Sequence, residues 1–136
     1  MSDRTVLSSR GMRLLWARAL SRDIELRLAV AWPPTTNPQM PADRFPEPDG
    51  GGYAREMVPG TSWNFADDLA EAMPRTFRFS SPPAGAPSIV GQVLVDKETG
   101  TLLYAERFAE GPVPFPPTGE LILTVTPTIR WREGAG

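Results

Sequence analysis

Cysteine and histidine are both absent from this 136-residue sequence, and Lys97 is its only lysine, set against thirteen arginines. Without cysteine there are no disulfides, no thiol chemistry and no Cys/His zinc or haem ligands. Without histidine the usual acid/base catalyst near neutral pH is missing, and Ser62, Ser80 and Thr99 have no imidazole with which to build a Ser-His-Asp arrangement in cis. No apolar run approaches the roughly 20 residues that a membrane span requires, and the opening Met1-Ser-Asp-Arg lacks the apolar stretch of a secretion signal. Sixteen acidic against fourteen basic residues leave a net charge of −2, which creates no global field to attract nucleic acid. The expectation is a soluble protein made in the cytoplasm, not an enzyme, with no cofactor, no metal, and neither nucleic acid nor membrane as a partner.

What is present is an ordinary globular composition, 40% hydrophobic and 22% charged, in a length that suits one domain with one core over residues 1–136. The preference for arginine reads either as base composition of the genome or as a supply of bidentate contacts between chains. Residues 88–126 alternate in character like a β-meander. Ile89, Val93 and Val95 fall on one face, Asp96-Lys-Glu-Thr-Gly100 supplies a turn, and Thr101-Leu-Leu-Tyr-Ala-Glu-Arg107 completes a hairpin. After a Pro-rich link, Glu120-Leu-Ile-Leu-Thr-Val-Thr126 puts Leu121, Leu123 and Val125 on one side and Ile122, Thr124 and Thr126 on the other.

Earlier in the chain, residues 8–20 predict a short amphipathic helix capped by Ser8 or Ser9, with Met12, Leu15, Trp16 and Leu20 as its apolar stripe. Arg10, Arg13 and Arg18 lie mostly off that stripe and form either a solvated face or a contact for an acidic partner. Asp23-Ile-Glu-Leu-Arg-Leu-Ala-Val-Ala-Trp32 alternates strictly, as a half-buried strand does. Residues 33–52 hold six prolines and Gly50-Gly51-Gly52, which predicts a long ordered loop or an extended arm. Met40 and Phe45 in it have no evident core position, so the segment serves either an interface or a surface excursion. Tyr53-Ala-Arg-Glu-Met-Val58 returns as a strand beside the first. Trp63-Asn-Phe65 can begin another, residues 66–73 read as a short helix or irregular loop cut off by Pro74, and Arg75-Thr-Phe-Arg-Phe79 resumes alternation. Residues 127–136 either extend the last strand or form a tail. The fold class expected is mainly β, an antiparallel sandwich of about seven short strands with one N-terminal helix.

Few residue groups suggest chemistry. Asp67, Asp68 and Glu71 could pair as acid and base or bind a hard cation, with a helix placing Glu71 on the face of one aspartate, but acidic residues in a first helical turn commonly serve the dipole instead. The glycine triplet lacks the spacing and following helix of a phosphate loop and reads as a flexible corner. Asp43, Glu47 and Asp49 read better as a polar loop than as a cation site. Of the tryptophans, Trp16 and Trp32 fit core stripes, whereas Trp63 and Trp131 are freer to face outward and stack on a sugar. Packing in the core or between subunits is the favoured account for all four.

The order of segments, a helix, then Asp23-Ile-Glu-Leu-Arg-Leu-Ala-Val30, then a loop ending in Gly52-Tyr53-Ala54-Arg55, resembles a family of small tailed-phage virion proteins with a Gly-Tyr-Ala-Arg motif. The second half is similar too, in Phe77 and Phe79, the strand ending at Asp96, the turn to Gly100, Leu102-Leu103, and Gly119-Glu-Leu-Ile-Leu-Thr-Val125. The resemblance spans most of residues 14–125 and departs in the longer Pro-rich loop, the insert at 66–73 and the tail after Thr126. It implies a virion location and a role in head decoration, head fibres or tail-fibre and baseplate attachment, with no catalytic residues. The expected partners are further copies of the chain and capsid or tail subunits, met through Pro38, Met40, Phe45, Tyr53, Arg55, Trp63 and Trp131. The alternative expectation is a carbohydrate-binding module contacting host surface glycan.

Overall fold

The computed structural model describes residues 8–37, 39–66, 68–80, 86–116 and 119–131. One helix, α1 (Ser9–Ala19), precedes nine strands: β1 (Ile24–Ala29), β2 (Glu56–Val58), β3 (Trp63–Phe65), β4 (Leu69–Ala72), β5 (Arg75–Ser80), β6 (Gly91–Asp96), β7 (Leu102–Arg107), β8 (Glu120–Val125) and β9 (Thr128–Arg130). The protein is mainly β, as its alternation predicts. Every strand pair is antiparallel, in a four-stranded sheet of order β2-β1-β6-β7, a three-stranded sheet β3-β4-β9 and a two-stranded sheet β5-β8.

The alternation of β1 explains the first sheet. Ile24, Leu26 and Leu28 are fully buried on one face, where they meet Val58, Leu94, Phe77, Phe79, Ala70 and Ile129 in a core shared by all three sheets. Burying a side chain of this size stabilises by about 1.5–3 kcal/mol, so the face of β1 is settled by several such terms. Helix α1 starts where expected, with the Gly11 N–H donating to Ser8 Oγ at 3.0 Å. It lays Met12 and Trp16 on the core and ends at buried Leu20, while Leu15, expected on the stripe, is exposed beside Leu14. The hairpin turn is closed by Asp96, whose carbonyl accepts the Gly100 N–H at 2.8 Å and whose carboxylate accepts Thr99 Oγ1–H at 2.6 Å.

Part of the opposite face of the first sheet is covered as well, because residues 40–46 fold back over it. Ala42, in a 3-10 turn (Ala42–Arg44), and Phe45 are buried with Ala29, Val93 and Val95, and Phe45 meets Trp32 edge-on at 4.8 Å between ring centroids. The Val30 N–H donates to the Pro46 carbonyl at 2.8 Å. Residues 40–46 of the segment expected as a long ordered loop or an extended arm thus pack on the sheet. Prolines lack donors but present carbonyls and flat rings, which suit a cover over a sheet.

Three expectations are corrected. Residues 88–126 are not one meander: β6 and β7 form the expected hairpin, but β8 pairs with β5, placing Leu121 opposite Phe79 and Leu123 opposite Phe77. Cross-strand aromatic and aliphatic pairs of this kind stabilise by roughly 0.2–1 kcal/mol each, and alternation in β8 specifies its buried face without specifying its neighbour. Ile89 consequently joins the shared core, away from Val93 and Val95. Residues 69–72 form β4 and not a helix, since two turns ended by Pro74 nucleate poorly while β3 and β9 offer ladders on both sides. Finally, residues 128–130 pair with β4 and are not a projecting tail.

Candidate functional site

Two arrangements of polar side chains stand out, and the first absorbs the Gly-Tyr-Ala-Arg motif. The three consecutive glycines at 50–52 all adopt positive φ, between 67° and 83°, which turns the end of the Pro-rich loop back toward β1. This brings Glu47 beneath Tyr53 and Arg55. Tyr53 Oη donates to Glu47 Oε2 at 2.5 Å and accepts the Leu28 N–H at 3.2 Å. Arg55 Nη2 lies 2.7 Å from Glu47 Oε1, Arg27 Nη2 lies 2.7 Å from Glu25 Oε1, and Arg55 Nη1 reaches Glu25 at 3.4 Å.

Burial alone would raise the Glu47 carboxyl's pKa, but hydrogen bonds from Arg55 and Tyr53 and the charges of Arg55 and Arg27 outweigh it and hold it below its ordinary value. Burial, and then the bond to Glu47, push the Tyr53 phenol far upward. One group stays ionised and the other neutral throughout the neutral range, so neither is poised for proton transfer. The arrangement is a clamp that ties the loop to β1 and β2. Of the two residues expected at an interface, Tyr53 is half-buried and turned to Glu47, whereas Arg55 pairs with Glu47 and stays exposed; Glu47 reads from sequence only as a loop carboxylate.

The remaining expected interface residues divide clearly. Pro38 lies outside the described residues. Met40 is half-buried against the loop cluster. Phe45, Trp63 and Trp131 are corrected: they are 4%, 7% and 7% exposed, so none presents a surface for a partner or a sugar. Trp131 stacks on Trp16 with centroids 6.5 Å apart, and Trp63 belongs to the shared core, so core packing is the account that holds for both. Of the carboxylate group, Asp67 lies outside the described residues, Asp68 sits in the turn before β4 with its carbonyl accepting the Trp131 N–H, and Glu71 is on the strand, so no helix face unites them. Ser62 Oγ donates to the Pro59 carbonyl and Thr99 to Asp96. Among the described residues, no group of three or more carboxylates could hold a metal ion.

The second arrangement is an open cleft of about 430 Å³ where the three sheets meet, bounded by β4, the end of the β6–β7 hairpin, β8 and β9. Gln92 and Glu106 are direct cross-strand partners there. Glu106 Oε2 accepts from Tyr104 Oη at 2.9 Å and from Arg130 Nε at 3.2 Å. Burial, with the bond to Glu106 adding to it, pushes the Tyr104 phenol up to about 12. Gln92 is only 5% exposed and its Oε1 is buried without a hydrogen-bond partner. An unsatisfied buried acceptor costs about 1–3 kcal/mol. Phe108, Val113 and Leu123 supply apolar wall. Sequence reading passed over this site; the available signal was Gln92, a polar residue inside an otherwise apolar strand. Compared with protein families, curated proteins and solved structures, the chain matches none of them.

Proposed function

We propose that the chain is a non-enzymatic building block of a tailed-phage virion that associates with further copies of itself and with neighbouring capsid or tail subunits. The order of its segments supports the virion reading. The association surface is carried by one observation: β5 and β8 form a two-stranded sheet with no third strand on either side among the described residues. Its outer face carries Thr76, Arg78, Thr124 and Ile122, the last half exposed. Unpaired strand edges are templates for pairing with another chain, and two copies of the same edge are self-complementary about a two-fold axis. We place the contact on β5–β8 rather than on the Pro-rich loop, whose Ala42 and Phe45 are buried against the first sheet.

Sedimentation velocity over a concentration series tests this. A discrete oligomer that Ile122→Lys converts to monomer, with an unchanged circular dichroism spectrum, is the expected result. A strictly monomeric wild-type chain at high concentration, with no affinity for capsid or tail subunits, overturns it. Glycan binding has less support, because both indoles on which it relied are buried.

A further inference from the structure

We propose that the cleft at the junction of the three sheets binds a small organic cation, an ammonium or guanidinium group carried on an aliphatic stem. Three features define that ligand. The cleft is lined by Glu71, Glu106 and Glu110 against a single guanidinium, that of Arg130, so its charge favours a cation. Gln92 lines the cleft, and its carbonyl oxygen, buried with no donor among the described residues, can meet a ligand N–H when the carboxamide rotates toward the opening. Phe108 and Leu123 line the same space with apolar surface for a methylene stem.

The fold already shows the chemistry in cis. Arg130, itself 59% exposed, places its guanidinium against Glu106, and both hydrogen bonds received by that carboxylate fall on Oε2. A carboxylate has about four lone-pair sites, so Oε1 is left to receive a second cation. Glu106 and Gln92 stand opposite one another across β6 and β7, which sets a charged acceptor and a neutral acceptor side by side. Such a pair matches a group with several N–H donors better than it matches an anion or an apolar ligand.

The site adjoins the association surface at Thr124, which lies both on the outer face and in the cleft lining, but Ile122, the residue that probes association, is not part of that lining. Either proposal can fail while the other stands.

The probe is butylguanidinium, titrated into the full-length, nitrogen-15-labelled protein and followed by chemical shifts and calorimetry. Saturable binding is expected, with shifts centred on Gln92, Glu106 and Phe108. Glu106→Gln and Gln92→Leu should each weaken it by about tenfold, the cost of one charge-assisted or buried hydrogen bond. Butylurea, its neutral analogue, should not bind. N-acetylarginine amide separates two sources of the same chemistry: affinity at least equal to butylguanidinium points to an arginine side chain of another protein, and weaker affinity points to a free small cation. Absence of saturation at tens of millimolar, equal binding of butylurea, or undiminished binding by both variants while their amide spectra remain folded overturns the proposal.

Discussion

Gln92 on β6 and Glu106 on β7 are direct partners in an antiparallel ladder, yet of their two side chains only that of Glu106 receives hydrogen bonds among the described residues, from Tyr104 and Arg130. Gln92 Oε1 is left buried and unpaired on a strand whose Val93, Leu94 and Val95 fill two cores. A buried strand gains nothing structural from a carboxamide in that position.

Gln92→Leu is therefore expected to leave stability unchanged or to raise it by about 1 kcal/mol, since it removes an unpaired acceptor and adds apolar contact. The midpoint of urea denaturation measures this. A loss of more than about 1 kcal/mol would show instead that the carboxamide is satisfied in solution.

Glu47 governs the acid limb of stability. Its folded pKa lies below the ordinary value of 4.5, so the unfolded chain binds the proton more readily. The contribution is full above that value and is lost as pH falls through the lower folded one. Glu47→Gln should lower stability at neutral pH and flatten its decline below about pH 4.5, as read from thermal melts across an acid series. Tyr53 acts in the opposite direction: its raised folded pKa keeps its contribution intact below its ordinary value of 10 and removes it as pH rises beyond. Tyr53→Phe should shrink the alkaline loss.

Trp63→Ala and Trp131→Ala should each destabilise by about 3–5 kcal/mol, the range for large aromatic truncations in a core. Trp63→Phe should be milder, because the indole Nε1 of Trp63 has no acceptor to lose. Guanidinium denaturation distinguishes these outcomes from the near-neutral effect expected of an exposed stacking residue.

Gly91→Ala should destabilise although the backbone there is an ordinary strand. An added Cβ would lie 2.5 Å from the Glu106 carbonyl oxygen and 2.9 Å from the Trp32 ring. Overpacking of this kind typically costs about 1–3 kcal/mol, and the packing of Ala42 and Phe45 beside Trp32 should loosen with it, visible as faster hydrogen exchange in residues 42–45.

Alternation and capping make much of the fold legible in the sequence. Ser8 capped a helix, Ile24, Leu26 and Leu28 shared a face, and Asp96 to Gly100 closed a hairpin, because each depends on residues near in sequence. The partner of β8 was not legible, because β5 lies more than forty residues away and pairing over that distance leaves no local trace. Phe45 reads as exposed within a proline-rich run, and only the closed loop reveals the Trp32 ring it covers. Glu47 reads only as part of a polar loop with Asp43 and Asp49 for a related reason: its importance comes from Arg55, Tyr53 and Arg27 converging on it, and no spacing between carboxylates announces that.

The β5–β8 ladder also times its own appearance. Thr76 and Thr124, whose hydroxyls meet at 3.2 Å, are separated by 48 positions in the chain, so closing this pair requires a long-range encounter that local hairpins do not. During synthesis β5 emerges long before its partner. The outer face proposed for association is complete only when residues up to Val125 have been made, so a nascent chain displays half a ladder and cannot present that face in the register of the finished fold.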